Sequence, residues 1–300
     1  MKNTQLWKQM KKYQFIYFML LPIAVYFLVF SYYPLALGIV YSFQKSKLLG
    51  EAEFAGLANY RDIFSNPLYY EAFINTVVVG LFSFMAEFIL GLAVALSLNE
   101  IKHKFVKSTV QSVTYLPNIL SWAIVGGMWM TILSPSGLIN GILKLICGSG
   151  FHQIVFMSEP RFARTIMVLT GAWKHAGYYT VLFLAAMTGI DPMLYEAASI
   201  DGTSRFQQIF YITLPNLVST MKVLVVLGSM GVLRNFDQIY IMGNSSIYGE
   251  VRNLLFLIYT DGILNFKVGT AMAAATMLLV ATYILATIIR KLVKYDQTYD

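Results

Sequence analysis

Long apolar runs separated by short polar breaks set the layout of this chain. Six runs reach the ~20 residues that a helix needs to cross a ~30 Å hydrocarbon core. They lie near residues 14–42, 72–98, 109–133, 162–189, 216–236 and 269–289. Each predicts a membrane-spanning helix, since a helix satisfies its own backbone groups where water is absent. The first run is longer than a crossing needs and contains Pro22 and Pro34, which predicts a tilt, a kink or a part outside the membrane.

The polar break with the strongest internal order is 191–215, DPMLYEAASIDGTSRFQQIFYITLP. Asp191 is placed as an N-cap with Pro192 at the first helical position. Met193, Ala197 and Ile200 then share one face of a short helix, and Gly202 is placed to end it. Ser204 and Gln207 have the spacing of a capping box, which predicts a second helix with Phe206, Ile209, Phe210 and Thr213 on its apolar face. Pro215 is expected to end the break by opening the next helix. The result is a helix-turn-helix plug between two spans. Its small residues, Ala197, Ala198 and Ser199, let another backbone approach, and Glu196 and Asp201 are available to basic groups. Physics alone leaves open an ordinary well-capped loop.

The other polar segments are less specific. Residues 45–70 predict a small hairpin or short helix. Residues 134–161 open with Ser134, Pro135, Ser136 and Gly137 and continue into an amphipathic stretch from Leu138 to Ile146, expected to lie along a membrane surface. In 237–268 a turn is expected around Asn244, Ser245, Ser246 and Gly249. These segments could carry an extracytoplasmic partner or simply connect spans. The domain layout is then a basic N-terminus (1–13), a first helix with its outer loop (14–71), a helical core (72–290) and a tail (291–300).

Composition agrees with a membrane protein: 57% of the residues are hydrophobic and 12% charged, against about 25% charged in soluble domains. The net charge of +7 does not point to nucleic acid, because the basic residues flank apolar runs. Lys2, Lys8, Lys11 and Lys12, then Lys102, Lys104 and Lys107, then Arg205, then Arg290, Lys291 and Lys294 occupy one set of loops. The other set is less densely basic, so both termini and the 191–215 loop are expected in the cytoplasm. The apolar run after the N-terminal lysines is too long for a cleaved signal peptide. The single cysteine, Cys147, excludes an internal disulfide.

Ionisable residues inside spans are costly and mark sites by default. Glu87 falls in the second run, Lys174 and His175 follow Trp173 in the fourth, and Arg234, Asn235 and Asp237 stand at the outer end of the fifth. A short or broken helix near the midplane points to a transport site. Trp173, Lys174, His175, Tyr178 and Tyr179, with Arg234, Asn235 and Asp237, therefore form a candidate substrate pathway, and Trp122 and Trp129 share a face that could add a stacking platform. The alternative is structural: aromatic belts at the membrane interface, Asp237 paired with Arg234 or Lys174, and Glu87 buried and paired, or protonated. The cations Lys174, His175 and Arg234 would suit an acidic sugar. No phosphate-binding loop, zinc-protease helix or nucleophile elbow occurs, and the three histidines lack metal-ligand spacing. The chain is read as non-enzymatic, with no metal and no cofactor of its own.

Glu196-Ala197-Ala198, Asp201-Gly202 and Ile212-x-Leu214-Pro215 resemble the EAA motif of ABC importer membrane subunits, with Thr203 standing where Ala is usual. Leu116-Pro117-Asn118, Ser121-Trp122, Trp173-Lys174 and Asn235-Phe236-Asp237-Gln238-Ile239 extend the resemblance to MalF-like carbohydrate permeases, most to the oligosaccharide and polysaccharide branch. The resemblance implies an all-α fold with six transmembrane helices and an ABC transmembrane type-1 core in the cytoplasmic membrane. It implies that Glu196, Ala197, Ala198, Asp201 and Gly202 couple to the ATPase. The implied partners are a second permease, two ATPase subunits that bind ATP and Mg, and an extracytoplasmic solute-binding protein, with a carbohydrate as substrate. A polyol or glycerol phosphate is an alternative solute. An ion-driven secondary transporter would leave the EAA-like loop unexplained, and an intramembrane enzyme lacks a catalytic constellation.

Overall fold

The apolar runs become helices, and their breaks decide where the site forms. The computed structural model describes residues 12–45, 53–148 and 150–295. The basic residues Lys2, Lys8, Lys11 and Lys47, and the last five residues of the tail, lie outside the described residues. The chain divides into two units, residues 1–65 with 258–277 and residues 66–257 with 278–300.

In the first unit, α1 (Gln14–Ser42) is one apolar helix. A wider π turn at Leu28–Tyr32 precedes Pro34. Proline cannot donate to the carbonyl four residues back and its ring crowds that group, and a widened turn relieves both. The segment after α1 contains both structures allowed by the sequence: β1 (Gln44–Lys45) pairs antiparallel with β2 (Glu53–Phe54), and α2 (Ala58–Ser65) follows. Buried Asn59 ties them together, donating to the Ser42 carbonyl at 2.8 Å and the Gln44 carbonyl at 2.9 Å.

The second unit begins with α3 (Pro67–Glu100), capped by Asn66, whose side chain accepts from the Leu68 amide. After Ile101–His103 come α4 (Lys104–Ile119), α5 (Trp122–Ile132), α6 (Leu138–Cys147), α7 (Pro160–Met187), α8 (Pro192–Ile200), α9 (Arg205–Gly231), α10 (Asp237–Met242) and α11 (Tyr248–Val251). Two further helices, α12 (Leu254–Leu264) and α13 (Val268–Leu292), each run from one unit into the other. The amphipathic stretch at 138–146 is helical as α6, and the expected turn covers Asn244–Ser246 but not Gly249, which lies in α11.

Three expectations are corrected. The third span is not one helix over 109–133. It is α4 and α5, broken at Leu120–Ser121. The second helix of the 191–215 loop does not stop for a new helix at Pro215. It runs on as α9 through a π turn at Ile209–Thr213, and the Asn216 side-chain Nδ2 donates to the Ile212 carbonyl within that turn. That helix ends at Gly231, so Arg234 and Asn235 lie in a non-helical connection. Among the described residues four helices, α1, α3, α9 and α13, are each long and apolar enough to cross a membrane. The pair α7–α8, bent by 75°, gives a fifth if it is counted as one span.

The most extensive helix pair is α3 with α7. Lipid tails are as apolar as leucine, so such contacts rest on close packing rather than on escape from water. At Gly177 of α7 a Cβ would meet the Thr114 carbonyl and the Tyr115 Cα of α4, and only glycine allows that approach. Two apolar clusters form along α7. Val79, Ile166, Met167, Ile239 and Met242 pack toward its start, and Ala95, Leu98, Tyr179, Phe183 and Leu217 toward its end. The site lies between them.

Candidate functional site

A cavity of ≈370 Å³ opens between the two clusters, walled by α3, the start of α5, α7, α9, the connection after Gly231 and the start of α10. Of the predicted pathway residues, Trp122, His175, Tyr178, Tyr179, Arg234, Asn235 and Asp237 are on its wall. Trp129, Trp173 and Lys174 are not. Trp129 and Trp173 instead pack edge to face, with ring centroids 5.6 Å apart. Asp237 makes no ion pair with Arg234 or Lys174 among the described residues.

Lys174 has a different task from the one its charge suggested. It is 4% exposed, and its Nζ donates to the carbonyls of Pro117 (3.0 Å), Asn118 (3.2 Å) and Leu120 (2.6 Å). These carbonyls are orphaned by the break between α4 and α5. An ammonium group there also meets the negative end of the α4 dipole. The Lys174 Nζ stands 5.6 Å from the Trp122 ring centroid, and Asn118 Oδ1 is 3.1 Å from His175 Nδ1. The break thus sets two groups of the cavity wall, Trp122 and His175.

Sequence reasoning did not place Ser83 or Gln238 on the wall, and it treated Glu87 as a structural group. The structure brings all three to the cavity. Gln238 is 1% exposed and held rigidly: its Nε2 donates to the Met167 carbonyl (2.7 Å) and Thr170 Oγ1 (2.8 Å), while its Oε1 accepts from Asn235 Nδ2 (2.7 Å). Asn253 in turn donates to the Asn235 carbonyl. Glu87 has neither a hydrogen bond nor an ion pair among the described residues. Ser83 and Glu87 are four residues apart on α3, a spacing that shares one helix face and was visible in the sequence.

The 191–215 loop shows the caps that its residues predict. The Asp191 side chain accepts from the Met193 amide at 2.9 Å, and Ser204 and Gln207 form a capping box. Gly202 sits at φ +73°, a region open to glycine without penalty. The Gly202 amide donates to the Ser199 carbonyl (3.2 Å) and the Thr203 amide to the Ala198 carbonyl (3.1 Å), the paired bonds of a Schellman end. Thr203 adds a third bond, from its hydroxyl to the Ala198 carbonyl at 2.7 Å. The Tyr195 hydroxyl meets Thr213 Oγ1 at 2.9 Å and joins α8 to α9.

The loop's apolar face is turned outward. Met193, Ile200, Phe206 and Phe210 are 71%, 86%, 76% and 61% exposed, while Gln208 and Thr213 are the buried residues. The expected apolar face of the second helix is therefore divided, with Phe206 and Phe210 outside and Thr213 inside. Glu196, Ala197, Asp201 and Gly202 are exposed, and Ala198 is half-buried.

Residues 87–295 match the family described as binding-protein-dependent transport system inner membrane component, and the chain belongs to that family. It is 32% identical over 291 residues to the polygalacturonan/rhamnogalacturonan transport system permease protein YteP of Bacillus subtilis (strain 168), covering 93% of this chain and 89% of that one. Among solved structures it resembles a chain of a bacterial ABC transporter involved in the import of the acidic polysaccharide alginate. The TM-score is 0.87 and the identity 31%, covering 97% of this chain and 98% of that chain. A bacterial alginate ABC transporter in complex with alginate pentasaccharide-bound periplasmic protein matches with TM-score 0.86 and 31% identity, over 96% of both chains. The fold is that of an ABC importer membrane subunit.

Proposed function

We propose that this chain is the permease subunit of an ATP-binding-cassette importer that carries an oligosaccharide or polysaccharide fragment across the cytoplasmic membrane. The chain itself is not an enzyme. Two partner ATPase subunits bind ATP and Mg, a second, similar permease completes the pathway, and an extracytoplasmic solute-binding protein delivers the sugar. Both termini and the 191–215 loop face the cytoplasm, with α4 and α5 together making the third of six crossings.

The observation that carries this reading is the exposed apolar face of the 191–215 loop on a rigidly capped turn. Among the described residues nothing covers Met193, Ile200 or Phe206, and the small residues Ala197 and Ala198 let a partner approach between them. The loop is joined to the cavity by one continuous helix. From the capping box at Ser204, α9 runs 27 residues, about 40 Å at ~1.5 Å per residue, to Leu227, Gly228 and Gly231 on the cavity wall. A push on the loop is then a displacement of the wall. Closure of the ATPases moves α8 and α9 as one body, the kind of two-position element that such coupling requires. The names of the similar proteins, a polygalacturonan/rhamnogalacturonan permease and an alginate importer, support a carbohydrate as the solute.

The test is co-purification of the tagged chain with the products of neighbouring genes. A stoichiometric complex with two ATPases and a second permease is expected, with ATP hydrolysis rising when a sugar-loaded binding protein is added. A chain that purifies alone and transports under an ion gradient without ATP would overturn the reading.

A further inference from the structure

A second polar network clasps α3 and α7 at their ends remote from the 191–215 loop. Glu100, at the loop end of α3, is 3.7 Å from Arg205. Asn75 lies about 38 Å back along the same helix at ~1.5 Å per residue. It is 0% exposed and its side chain is fully engaged. Its Nδ2 donates to the carbonyls of Gly249 (3.0 Å) and Arg252 (3.2 Å), and its Oδ1 accepts from Arg164 (3.0 Å). The Arg164 guanidinium, from the first turns of α7, also donates through Nε to the Glu250 carbonyl (3.2 Å) and pairs with the Glu250 carboxylate at 2.9 Å. Thr76 Oγ1 accepts from the Leu254 amide at 2.9 Å. A helix as short as α11 cannot repay its own nucleation, so the strap that contains it, residues 249–253, takes its position from this clasp.

The strap reaches the cavity wall by a short path. Buried Asn253 donates to the Asn235 carbonyl, and its Oδ1 accepts from the Phe256 amide at 2.9 Å. Asn235 holds Gln238, which is fastened to Met167 and Thr170 of α7. Neither Arg164 nor Asn253 lines the cavity, whereas Asn235 and Gln238 do. The two ends of the path differ in access. The Arg164 and Glu250 side chains are 42% and 39% exposed, so another charged group can compete for them. Gln238 is 1% exposed and out of reach.

We infer that Arg164 and Asn253 are positioning residues for transport: through the strap they fix the outer rim of the cavity, residues 232–236, without touching the solute. A protein that docks on this face and draws the Arg164 guanidinium or the Glu250 carboxylate to a charge of its own releases the rim. The inference rests on the permease reading, which puts this face outside the membrane and supplies the docking protein. While the clasp is closed, the rim keeps one position. Once it is loosened, the rim samples the position that docking otherwise selects, a shift of population that needs no new contact in the cavity. Lysine at 164 would keep the charge but lose the planar fork that spans Asn75 and Glu250 together.

The test uses the complete transporter in proteoliposomes, with ATP hydrolysis read in the absence of binding protein and across a titration with the sugar-loaded binding protein. Arg164→Gln opens the clasp, and Asn253→Ala cuts the link to Asn235 while leaving the clasp closed. Each is expected to raise hydrolysis without binding protein at least threefold and to shrink the stimulation by binding protein to match. Asn253→Ala should leave the half-saturating concentration of binding protein within twofold of wild type, since the docking face is untouched, whereas Arg164→Gln should raise it. The double variant should hydrolyse no faster without binding protein than the stronger single one, as two links of one chain do not add. Arg164→Lys should behave as Arg164→Gln. Glu250→Gln, at a half-exposed side chain, should give a smaller rise of the same sign and carries the test if a buried variant fails to assemble. Unstimulated hydrolysis that is unchanged or lowered in these variants, effects that merely follow the thermal midpoint, or additive effects in the double variant overturn the relay. A chain that purifies alone, without ATPase subunits, removes the permease reading itself.

Discussion

The 191–215 loop and the cavity are built on opposite plans. Most hydrogen bonds of the loop close within about nine residues: Met193 to Asp191, Gln207 to Ser204, Thr203 to Ala198 and Gln208 to Ser199. The cavity is held by bonds from Lys174 to Pro117, 57 residues away, and from Gln238 to Met167, 71 residues away. The loop keeps its shape from local chemistry and presents apolar side chains to the outside. The cavity wall exists only when α3, α5, α7, α9 and α10 are assembled. Substitutions in the loop should therefore separate transport from stability, whereas those at the cavity's supports should lose both.

The largest effect is expected at Lys174. Lys174→Met leaves three carbonyls at the α4–α5 break without their donor, a loss on the order of 3 kcal/mol or more at about 1–3 kcal/mol per buried group. The thermal midpoint of the detergent-solubilised protein should fall sharply, and a midpoint close to wild type would show that the break supports itself. Gly177→Val comes next. Its side chain collides with the Thr114 carbonyl, and overpacking of this kind costs about 1–3 kcal/mol. Separation of α4 from α7 should again appear as lost stability and poor assembly.

The loop variants sharpen the contrast from the other side. Gly202→Ala forces a Cβ into the left-handed region at about 1–2 kcal/mol, all of it local. ATP-driven uptake should drop at least tenfold while the thermal midpoint of the chain barely moves. Equal losses of uptake and stability would break the distinction between the two regions. Ser204→Ala removes one partner of the capping box, about 1 kcal/mol, and should reduce coupling only severalfold. Thr203→Ala, which restores the residue usual in the EAA motif, should have the smallest effect, because the backbone bond from residue 203 to the Ala198 carbonyl remains.

How far each region could be read from the residues follows the same division. The caps of α8, the turn at Gly202 and the capping box at Ser204 were legible because each depends on a few neighbouring residues. The break at Leu120–Ser121 was not read, since the polar residues there, Asn118 and Ser121, are few and apolar residues continue on both sides. Pro117 was the available signal: it removes a helix bond just before the break. The continuity of α9 was missed for the opposite reason. Pro215 reads as the start of a helix, but a π turn carries the chain past it. The partition of the ionisable residues was also hidden. Lys174 and Glu87 look alike as charges in apolar runs, yet one is tied to backbone carbonyls and the other stands open on the cavity wall.

The sequence by itself determined the helical membrane class, most of the spans, the capped loop and, through the spelling of that loop, the transporter family. These depend on hydrophobic period, run length and caps, which act over a few turns of chain. Only the tertiary structure decided which polar residues meet. Lys174 finds carbonyls that every residue type carries, and Ser83 and Glu87 of α3 and Gln238 of α10 are brought beside Gly171 of α7. Such contacts are set by helix packing, and packing at Gly177 and along α7 is a property of facing surfaces that no single stretch of sequence contains.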